Sequence, residues 1–346
     1  MSKLRVIQWT TGKVGKMALR GIFNDPRLEL VGVYAHSADK RGMDAGAICG
    51  QPDCGVLATD SVDELLALKA DSVIYAPYKA DLSHLVQLLE SGVDVVSTSL
   101  LNDIGGTEGE AGREIAAACL RGGSSLYITG INPGWLDILA AVATPICGAI
   151  DSISVTESVS VAHYESVETW VSHGFSLKST TPEIIEKSRV GFVSFSDSVI
   201  RLANALEYRL DRLAFSMEFA TAAKTVDLGW FRMEQGTNAA VRASWNGIID
   251  GKTIIKNSVI WYMTKELEQN WDIDQDNYFV DITGKPNVNL RVRVTPPESW
   301  GHLEHATCTA MPAVSALFQV KAAPPGILGL AGAGLPRAPA GVWRKS

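Results

Sequence analysis

Two glycines near the start of the chain, in the stretch TTGKVG at residues 10–15, have the spacing of a phosphate-binding turn. In such a turn one glycine lets a phosphate approach the backbone, and another three residues later lets the next helix pack closely on the preceding strand. Gly12 and Gly15 fit these two roles. The first glycine that such turns usually carry is absent, because Trp9, Thr10 and Thr11 stand in its place.

The helix predicted to begin near Val14 would direct free N–H groups and its positive dipole end at an anion. The Thr10 and Thr11 hydroxyls would donate further hydrogen bonds. Trp9 is too large to lie beneath phosphates, so it is expected to point into the core or along the ligand. The predicted site comprises Thr10, Thr11, Gly12, Lys13, Val14 and Gly15.

The first 150 residues alternate short apolar runs with amphipathic helical patterns. Such alternation predicts βαβ units around a doubly wound parallel sheet, the Rossmann architecture. The predicted strands are LRVIQWT, LELVGVYAHS, DSVIYAPY, DVVSTS and SSLYITG. Because TTGKVG occupies the first strand–helix turn, we interpret it as a dinucleotide site rather than as simple helix packing.

The pattern of apolar and polar residues changes after WLDILAAVATPIC, a predicted helix that leaves the first domain. DSISVTESVSVAHY alternates apolar and polar residues, which is typical of a sheet with one solvated face, and five strand-like segments follow it. This predicts a second α+β domain with a mostly antiparallel sheet and one strong amphipathic helix, SFSDSVIRLANALEYRLDRL. The predicted parts are a dinucleotide-binding domain (1–148), a substrate and dimerisation domain (149–300), a helix packing back on the first domain (301–330) and a loose tail (331–346).

The end of the second strand, GVYAHSADKRG, lacks the acid that usually accepts a hydrogen bond from the ribose of NAD. His36 and Ser37 follow this strand instead, with Lys40 and Arg41 close behind. These residues suit an anionic 2′-phosphate better than a neutral ribose. The sequence therefore favours NADP, with NAD as an alternative, although either cation alone could be an ordinary loop charge.

Composition excludes several classes of protein. The formal net charge of −7 argues against a nucleic-acid partner, which requires a basic surface. No apolar run is long enough for a membrane helix, and the N-terminus lacks the features of a signal peptide. Five scattered cysteines without a CxxC pair are typical of reduced thiols. We expect a cytoplasmic protein that forms a homodimer, since long strands such as KTIIKNSVIWYMTK would otherwise expose an edge or face.

Four ordered motifs carry a resemblance to a known family: WTTGKVGK, the YAPY at 75–78, VVSTS at 95–99 and TGINPGW at 129–135. In this order they resemble the dihydrodipicolinate-reductase-like superfamily, and most closely its branch of 2,4-diaminopentanoate dehydrogenase and related amine dehydrogenases. The resemblance implies that three strand-end segments border the nicotinamide and open the substrate pocket. Their residues are Ala76, Pro77, Tyr78, Ser97, Thr98, Ser99, Asn132, Pro133 and Gly134.

Departures from the family pattern bear on the chemistry. The paired-histidine motif followed by lysine and the Asp-Ala-Pro-Ser-Gly-Thr loop of the reductases are absent, which excludes that activity. The glutamate expected soon after VVST in amine dehydrogenases is replaced by Leu100 and Leu101, and Asp103 is the nearest carboxylate. Ammonia-dependent chemistry therefore has no obvious acid here.

Hydride transfer needs an oriented nicotinamide and a proton source for the heteroatom of the product. Candidate proton donors are Asp103, His163 and Tyr164, with Glu165, Glu168, Trp170 and His173 nearby in sequence. Alternatively, these residues form a solvated loop. HLEHATC at 302–308 matches no defensible metal-ligand spacing, so no metal is expected.

The sequence thus predicts an NADPH-dependent oxidoreductase acting on a C=N or C=O carbon of a small, largely apolar amine, imine or ketone. An ammonia-independent carbonyl reductase or alcohol dehydrogenase is one alternative. A non-catalytic NADP-binding protein is another, because the expected glutamate is missing.

Overall fold

The structure is a computed structural model, and it describes residues 2–99, 107, 109–271, 273, 277–301, 303–330, 332 and 334. Within these residues the chain forms fifteen strands and ten α-helices. The strands are β1 (Leu4–Trp9), β2 (Leu28–Tyr34), β3 (Ala58–Thr59), β4 (Ser72–Tyr75), β5 (Asp94–Ser97), β6 (Ser125–Ile128), β7 (Ala149–Ser160), β8 (Arg212–Thr221), β9 (Val226–Asp227), β10 (Arg232–Met233), β11 (Asn238–Ile249), β12 (Lys252–Tyr262), β13 (Tyr278–Lys285), β14 (Val288–Val292) and β15 (Gly326–Ile327). The helices are α1 (Lys13–Asn24), α2 (Ala45–Cys49), α3 (Val62–Ala67), α4 (Leu82–Glu90), α5 (Glu110–Gly122), α6 (Leu136–Ala143), α7 (Val167–Ser172), α8 (Pro182–Gly191), α9 (Ser194–Ala205) and α10 (Thr307–Lys321).

The chain divides into two compact units. The first comprises Met1–Trp135 with Pro296–Ser346, and the second comprises Leu136–Thr295. The sequence places the first limit later, after residue 148, because α6 continues directly from the last βα segment. In the structure α6 packs on α9, β7 and β13, which all belong to the second unit.

The first unit is built on a seven-stranded sheet in the order β3-β2-β1-β4-β5-β6-β15, and every pair in it is parallel. This is the strand order of a doubly wound dinucleotide-binding fold, and the order reverses between β1 and β4. The predicted α/β class is therefore confirmed. In such sheets ligands bind beyond the carboxyl ends of the strands at the point of reversal.

Helices cover both faces of this sheet, as its almost wholly apolar strands require. On one face, Leu85 and Leu88 of α4 and Ile115 of α5 are fully buried in one core cluster. On the other face, α1 and α10 pack together over the sheet, with Val314 and Leu317 in the core. The prediction that the C-terminal helix returns to the first domain is confirmed.

The α1–α10 contact depends on a glycine. A Cβ on Gly21 would lie 2.6 Å from Cε of Met311 and 3.0 Å from Cγ2 of Val314. The absence of a side chain at Gly21 therefore lets the two helices approach closely. Through this contact α10 fixes the position of α1, whose N-terminus follows the TTGKVG turn.

The second unit contains a six-stranded sheet in the order β14-β13-β7-β12-β11-β8. All its pairs are antiparallel except β7 with β12, so the predicted α+β domain is also confirmed. Helix α9 crosses β11 and β12. The sequence predicts this helix to run to residue 213, but it ends at Ala205 because Glu207 adopts a left-handed φ of 59° and turns the chain toward β8.

Candidate functional site

The turn between β1 and α1 is built without its usual first glycine. Thr10 adopts a left-handed φ of 69°, a conformation that costs a non-glycine residue on the order of 1–3 kcal/mol. Three contacts hold it there. The buried Gln8 side chain donates from Nε2 to the carbonyl oxygens of Trp9 and Thr10 at 3.1 and 3.0 Å, and the Thr10 amide donates to the Tyr34 carbonyl at 2.9 Å.

Gly15 lets α1 approach this turn. A Cβ at this position would lie 2.2 Å from the Thr10 carbonyl oxygen and 3.1 Å from Nε2 of Gln8. No side chain other than hydrogen therefore fits between the helix and the turn. This is the packing role that the spacing predicts for the second glycine.

Gly12 stands at the start of α1 in open space. It is the N-cap residue, no side chain caps the helix, and a Cβ at Gly12 would have no atom within 4 Å. The first turn of a helix with an open N-terminus attracts an anion through its N–H groups and its dipole. The cradle at Gly12 thus fits a pyrophosphate. The Thr10 hydroxyl is buried and has no hydrogen-bond partner among the described residues.

Trp9 points into the core, stacked on Tyr34. Their ring centroids are 4.2 Å apart with an angle of 8° between the planes, and the ring of His84 meets Trp9 edge-on at 5.3 Å. Trp9 is only 1% exposed. The bulky residue at the end of β1 is therefore removed from the space above the turn.

The segment after β2 places one of its two cations against the turn. The Nζ of Lys40 donates to the Thr11 carbonyl at 3.3 Å. Arg41 pairs instead with Asp60, at 2.8 Å from Nη1 to Oδ2. His36 is exposed and Ser37 is half-buried. The sequence groups Lys40 and Arg41 as equivalent, whereas the structure separates them.

The strand ends that follow are joined by backbone hydrogen bonds along the carboxyl edge of the sheet. The amides of Ala76, Thr98 and Thr129 donate to Trp9, Tyr75 and Ser97 at 3.1, 2.9 and 2.8 Å. After β4, Ala76 and Pro77 are half-buried while Tyr78 is 88% exposed. After β5, Ser97 and Ser99 are buried, Thr98 is half-buried, and the Ser97 hydroxyl donates to the Ser99 carbonyl at 2.8 Å.

The Asn132–Pro133–Gly134 segment forms a tight turn after β6. Its Asn132–Pro133 bond is cis, and Gly134 has a φ of 134°. A Cβ on Gly134 would lie 2.8 Å from Oγ1 of Thr129 and 3.0 Å from its Cα. Asn132 is half-buried, whereas Pro133 and Gly134 are buried. The turn is thus fixed in shape at the same edge as the other predicted segments.

The residues predicted for the dinucleotide therefore follow β1, β2, β4, β5 and β6 at one edge of one sheet. That edge surrounds the reversal point between β1 and β4, where a doubly wound fold binds its ligand. Sequence reasoning missed Gln8 and Asp60. Gln8 carried a signal, because a buried amide inside an apolar strand needs partners. Asp60 carried none, because its partner lies 19 positions away in another loop.

The predicted proton donors belong to other parts of the chain than the strand ends of the first unit. Asp103 lies outside the described residues. His163 and Tyr164 belong to the second unit, in the connection between β7 and α7, and both are exposed. The Tyr164 carbonyl accepts a hydrogen bond of 2.7 Å from the Trp170 indole.

That connection borders an aromatic cluster of the second unit. Trp261 is its centre, with Phe192, Trp170 and His173 at centroid distances of 4.9, 5.8 and 6.2 Å. The Trp261 indole donates to Oε1 of the buried Glu157 at 3.1 Å. The predicted neighbours Glu165 and Glu168 are exposed and lie outside this group of rings.

Burial lowers the pKa of His173 below its ordinary value of 6.5, although its hydrogen bond to the Thr169 carbonyl partly opposes this. The unfolded chain therefore takes up a proton at a higher pH than the folded chain does. The contribution of neutral His173 to the free energy of unfolding is therefore fully present above pH 6.5. It is lost as the pH falls below 6.5, by at most about 1.4 kcal/mol per unit of difference between the folded and unfolded pKa.

We expect His173→Asn to lose less stability than the wild type on acidification below pH 6.5. Asparagine removes the titrating ring and keeps a side-chain amide near the Thr169 carbonyl. Urea unfolding of both proteins above and below this pH measures the difference. Equal losses in the two proteins would show that His173 does not resist protonation.

Among the described residues no group of three or more His, Cys, Asp or Glu side chains is arranged to hold a metal ion, and His302 lies outside them. No helix in the described part of the chain is long and apolar enough to cross a bilayer.

Two family patterns match the chain. Residues 6–100 match the N-terminal part of dihydrodipicolinate reductase, and residues 135–346 match the 2,4-diaminopentanoate dehydrogenase C-terminal domain. The first match covers the β1–α1 turn and the ends of β2, β4 and β5. The second covers the whole second unit and α10.

Individual relatives agree with these patterns. An amine dehydrogenase of Streptomyces virginiae is 28% identical over 313 residues, which cover 84% of this chain and 85% of that protein. The 2,4-diaminopentanoate dehydrogenase of Acetoanaerobium sticklandii is 23% identical over an alignment of 361 positions that covers 99% of this chain and 97% of that protein.

A solved structure shows the same fold. The amine dehydrogenase of Mycobacterium smegmatis superposes with a TM-score of 0.73 at 20% identity over 97% of both chains. The pattern matched by residues 135–346 covers more than half of this sequence. The chain therefore belongs to the 2,4-diaminopentanoate dehydrogenase family, within the dihydrodipicolinate-reductase-like superfamily, and is an NAD(P)-dependent oxidoreductase.

Proposed function

We propose that the protein uses NADPH or NADP⁺ to transfer hydride to or from the C=N or C=O carbon of a small, largely apolar amine, imine or ketone. The observation that carries this proposal is the open glycine cradle at the start of α1, at the reversal point of the parallel sheet. The names of the relatives, amine dehydrogenase and 2,4-diaminopentanoate dehydrogenase, support a nitrogen-bearing substrate.

Different residues of the site bind different parts of the dinucleotide. The Gly12 backbone and the first turn of α1 hold the pyrophosphate, and Gly15 keeps the helix close enough to do so. Ala76–Tyr78, Ser97–Ser99 and Asn132–Gly134 border the nicotinamide end. When bound, the reduced nicotinamide would supply the hydride and the oxidised nicotinamide would accept it. The surrounding strand ends orient it toward the substrate and exclude water from the reacting face.

Lys40 supports the choice of NADP. Its amine lies against the carbonyl of Thr11, next to the position where the ribose follows the pyrophosphate, and it forms no ion pair with any described residue. The strand end before it carries Ala35 and His36 rather than an acid. A 2′-phosphate would gain a charge-assisted hydrogen bond there.

Replacing Lys40 by glutamine is expected to weaken NADPH binding by about tenfold while leaving NADH binding within about twofold, because one charge-assisted hydrogen bond is lost from the 2′-phosphate alone. Calorimetric titration of both dinucleotides into both proteins measures this. Lys16→Gln, near the N-terminal end of α1, is a matched control. Equal weakening of NADPH and NADH would place Lys40 at the pyrophosphate instead.

An apolar substrate is proposed because no anion-binding clamp stands out in the sequence; the aromatic cluster around Trp261 is packed core of the second unit. His163, Tyr164 and Asp103 remain the proposed proton donors. Single replacements by Asn, Phe and Asn test them through the pH dependence of turnover. The donor is the residue whose loss removes one limb of that profile.

The test of the reaction is a panel of ketones supplied with NADPH, with and without ammonium, and a panel of amines supplied with NADP⁺. Ammonium-dependent oxidation of NADPH supports amine dehydrogenase chemistry. Oxidation without ammonium would make the protein a carbonyl reductase, or an alcohol dehydrogenase in the reverse direction. Binding without turnover across both panels would leave a non-catalytic NADP-binding protein and contradict the proposal.

A homodimer formed through the six-stranded sheet of the second unit is part of the same proposal. Helix α9 covers one face of this sheet. The opposite face, which bears Arg242, Ser244 and Asn246 of β11, carries small and polar side chains at its centre. Light scattering tests the assembly, and a monomer at assay concentrations would contradict it.

A further inference from the structure

An acid lies at the cofactor edge although β2 does not end in one. Strand β3 runs parallel to β2, with Thr59 beside Tyr34, and the Ala35 amide donates to the Thr59 carbonyl at 2.8 Å. Asp60 follows directly after β3. Its carboxylate thus stands at the same edge as the loop that starts with His36.

The segment that carries Asp60 is fixed by its neighbours. The Thr59 hydroxyl donates to Oε2 of Glu64 at 2.7 Å and accepts from the Ser61 amide at 3.1 Å. The Ser61 hydroxyl caps α3 by accepting from the Glu64 amide at 3.2 Å. Asp60 is therefore presented from a backbone that is held on both sides, rather than from a loose loop.

Asp60 pairs with Arg41, and the two side chains are 45% and 46% exposed. An exposed pair of this kind contributes little to stability, so it can be removed without unfolding the chain. The larger effect of the pair is that Asp60 neutralises the positive charge of Arg41. While Arg41 is bound to Asp60, Lys40 is the cation of this loop that can bind a 2′-phosphate. The charge of Asp60 also helps, after burial, to raise the pKa of Tyr34 at the end of β2.

We propose that Asp60 sets the cofactor preference of this enzyme by holding Arg41 out of the 2′-phosphate position. The inference rests on the proposed nicotinamide site and deepens it. With Arg41 held, the site accepts NADH as well as NADPH, and its preference for NADPH comes from Lys40. Once released, Arg41 offers a planar guanidinium that can bind a phosphate in bidentate fashion.

The test is a double-mutant cycle of Asp60→Ala, Arg41→Ala and both together, with NADPH and NADH titrated by calorimetry. We expect Asp60→Ala to raise the ratio of NADPH to NADH affinity by up to about fivefold, because Arg41 no longer has to leave the exposed pair, which is weak, to reach the 2′-phosphate. In the Arg41→Ala background the same replacement should leave the ratio unchanged. Asp63→Ala is the matched control. Asp63 lies three positions after Asp60, and its side chain is exposed and forms no ion pair with any described residue, so this replacement removes the same charge without releasing Arg41.

An unchanged ratio in Asp60→Ala would overturn the inference. So would an increase that persists without Arg41, or one that Asp63→Ala reproduces, because either would indicate a general field effect. Failure of the wild type to bind either dinucleotide would instead overturn the proposed function. The same proteins titrated with 2′,5′-ADP and 5′-AMP then decide the inference, and equal discrimination in wild type and Asp60→Ala would reject it.

Discussion

Gly15→Ala is expected to lower the affinity for the nicotinamide dinucleotide by on the order of 100-fold and to destabilise the chain by about 3 kcal/mol. The added methyl group would lie 2.2 Å from the Thr10 carbonyl, which is backbone and cannot move aside. Helix α1 would have to shift away from the turn, and its first amides would lose their place beneath the pyrophosphate. Titration with NADPH and urea unfolding measure the two effects.

Gly12→Ala is the matched control for this prediction. Gly12 has an ordinary φ of −70° and open space around its Cβ direction, so alanine should cost at most about 1 kcal/mol of stability. Its methyl group would nevertheless occupy the cradle, and dinucleotide affinity should fall by about tenfold or more. Wild-type affinity in Gly12→Ala would show that no ligand approaches the backbone there.

Gly134→Ala should have the second largest effect, at the other end of the proposed site. Alanine at a φ of 134° is strained, and its Cβ would collide with Thr129 Oγ1 at 2.8 Å. We expect a loss of about 2–3 kcal/mol in stability and at least tenfold in turnover, because the turn borders the nicotinamide. Steady-state rates and thermal unfolding measure these losses.

Gly130→Ala, four residues earlier, separates local strain from a general sensitivity of this segment. The nearest atoms to its added Cβ lie at 3.5 Å, which is ordinary contact. It should retain near-wild-type rates and stability. Equal losses in the two variants would mean that the shape of the Asn132–Gly134 turn is not what turnover depends on.

The alternating pattern of the sequence predicted most of the first unit, because each buried parallel strand is a short apolar run bounded by a turn. It did not predict α2, β3 or β15. Strands β3 and β15 have two residues each and α2 has five, too few to show a period. Their positions depend on pairing with strands distant in sequence, which local patterns do not encode.

The second unit was predicted in class but less well in detail. The sequence predicts no helix at α7 or α8, and it leaves the segment around Glu168 and Trp170 open between a functional cluster and a solvated loop. In the structure Ser166 and Thr181 cap the two helices with their hydroxyls, and this chemistry is visible in the sequence once the helix starts are known.

The site shows where sequence reasoning ends. The spacing of Gly12 and Gly15 placed the turn only together with its position at the first strand–helix connection of an alternating chain, because two such glycines before a helix often serve packing alone. The left-handed Thr10 could not be foreseen, since it depends on the amide of Gln8 and on Tyr34 in the next strand. Likewise, the different partners of Lys40 and Arg41 arise from loops that meet only in the fold.

The most direct test of the central claim is amide hydrogen exchange of the wild-type protein with and without NADPH. We predict slower exchange on binding in the peptides that cover the β1–α1 turn, the loop from His36 to Arg41 and the strand ends after β4 and β6. Protection confined to other segments, or no change at saturating NADPH, would contradict a dinucleotide site at the reversal point of this sheet.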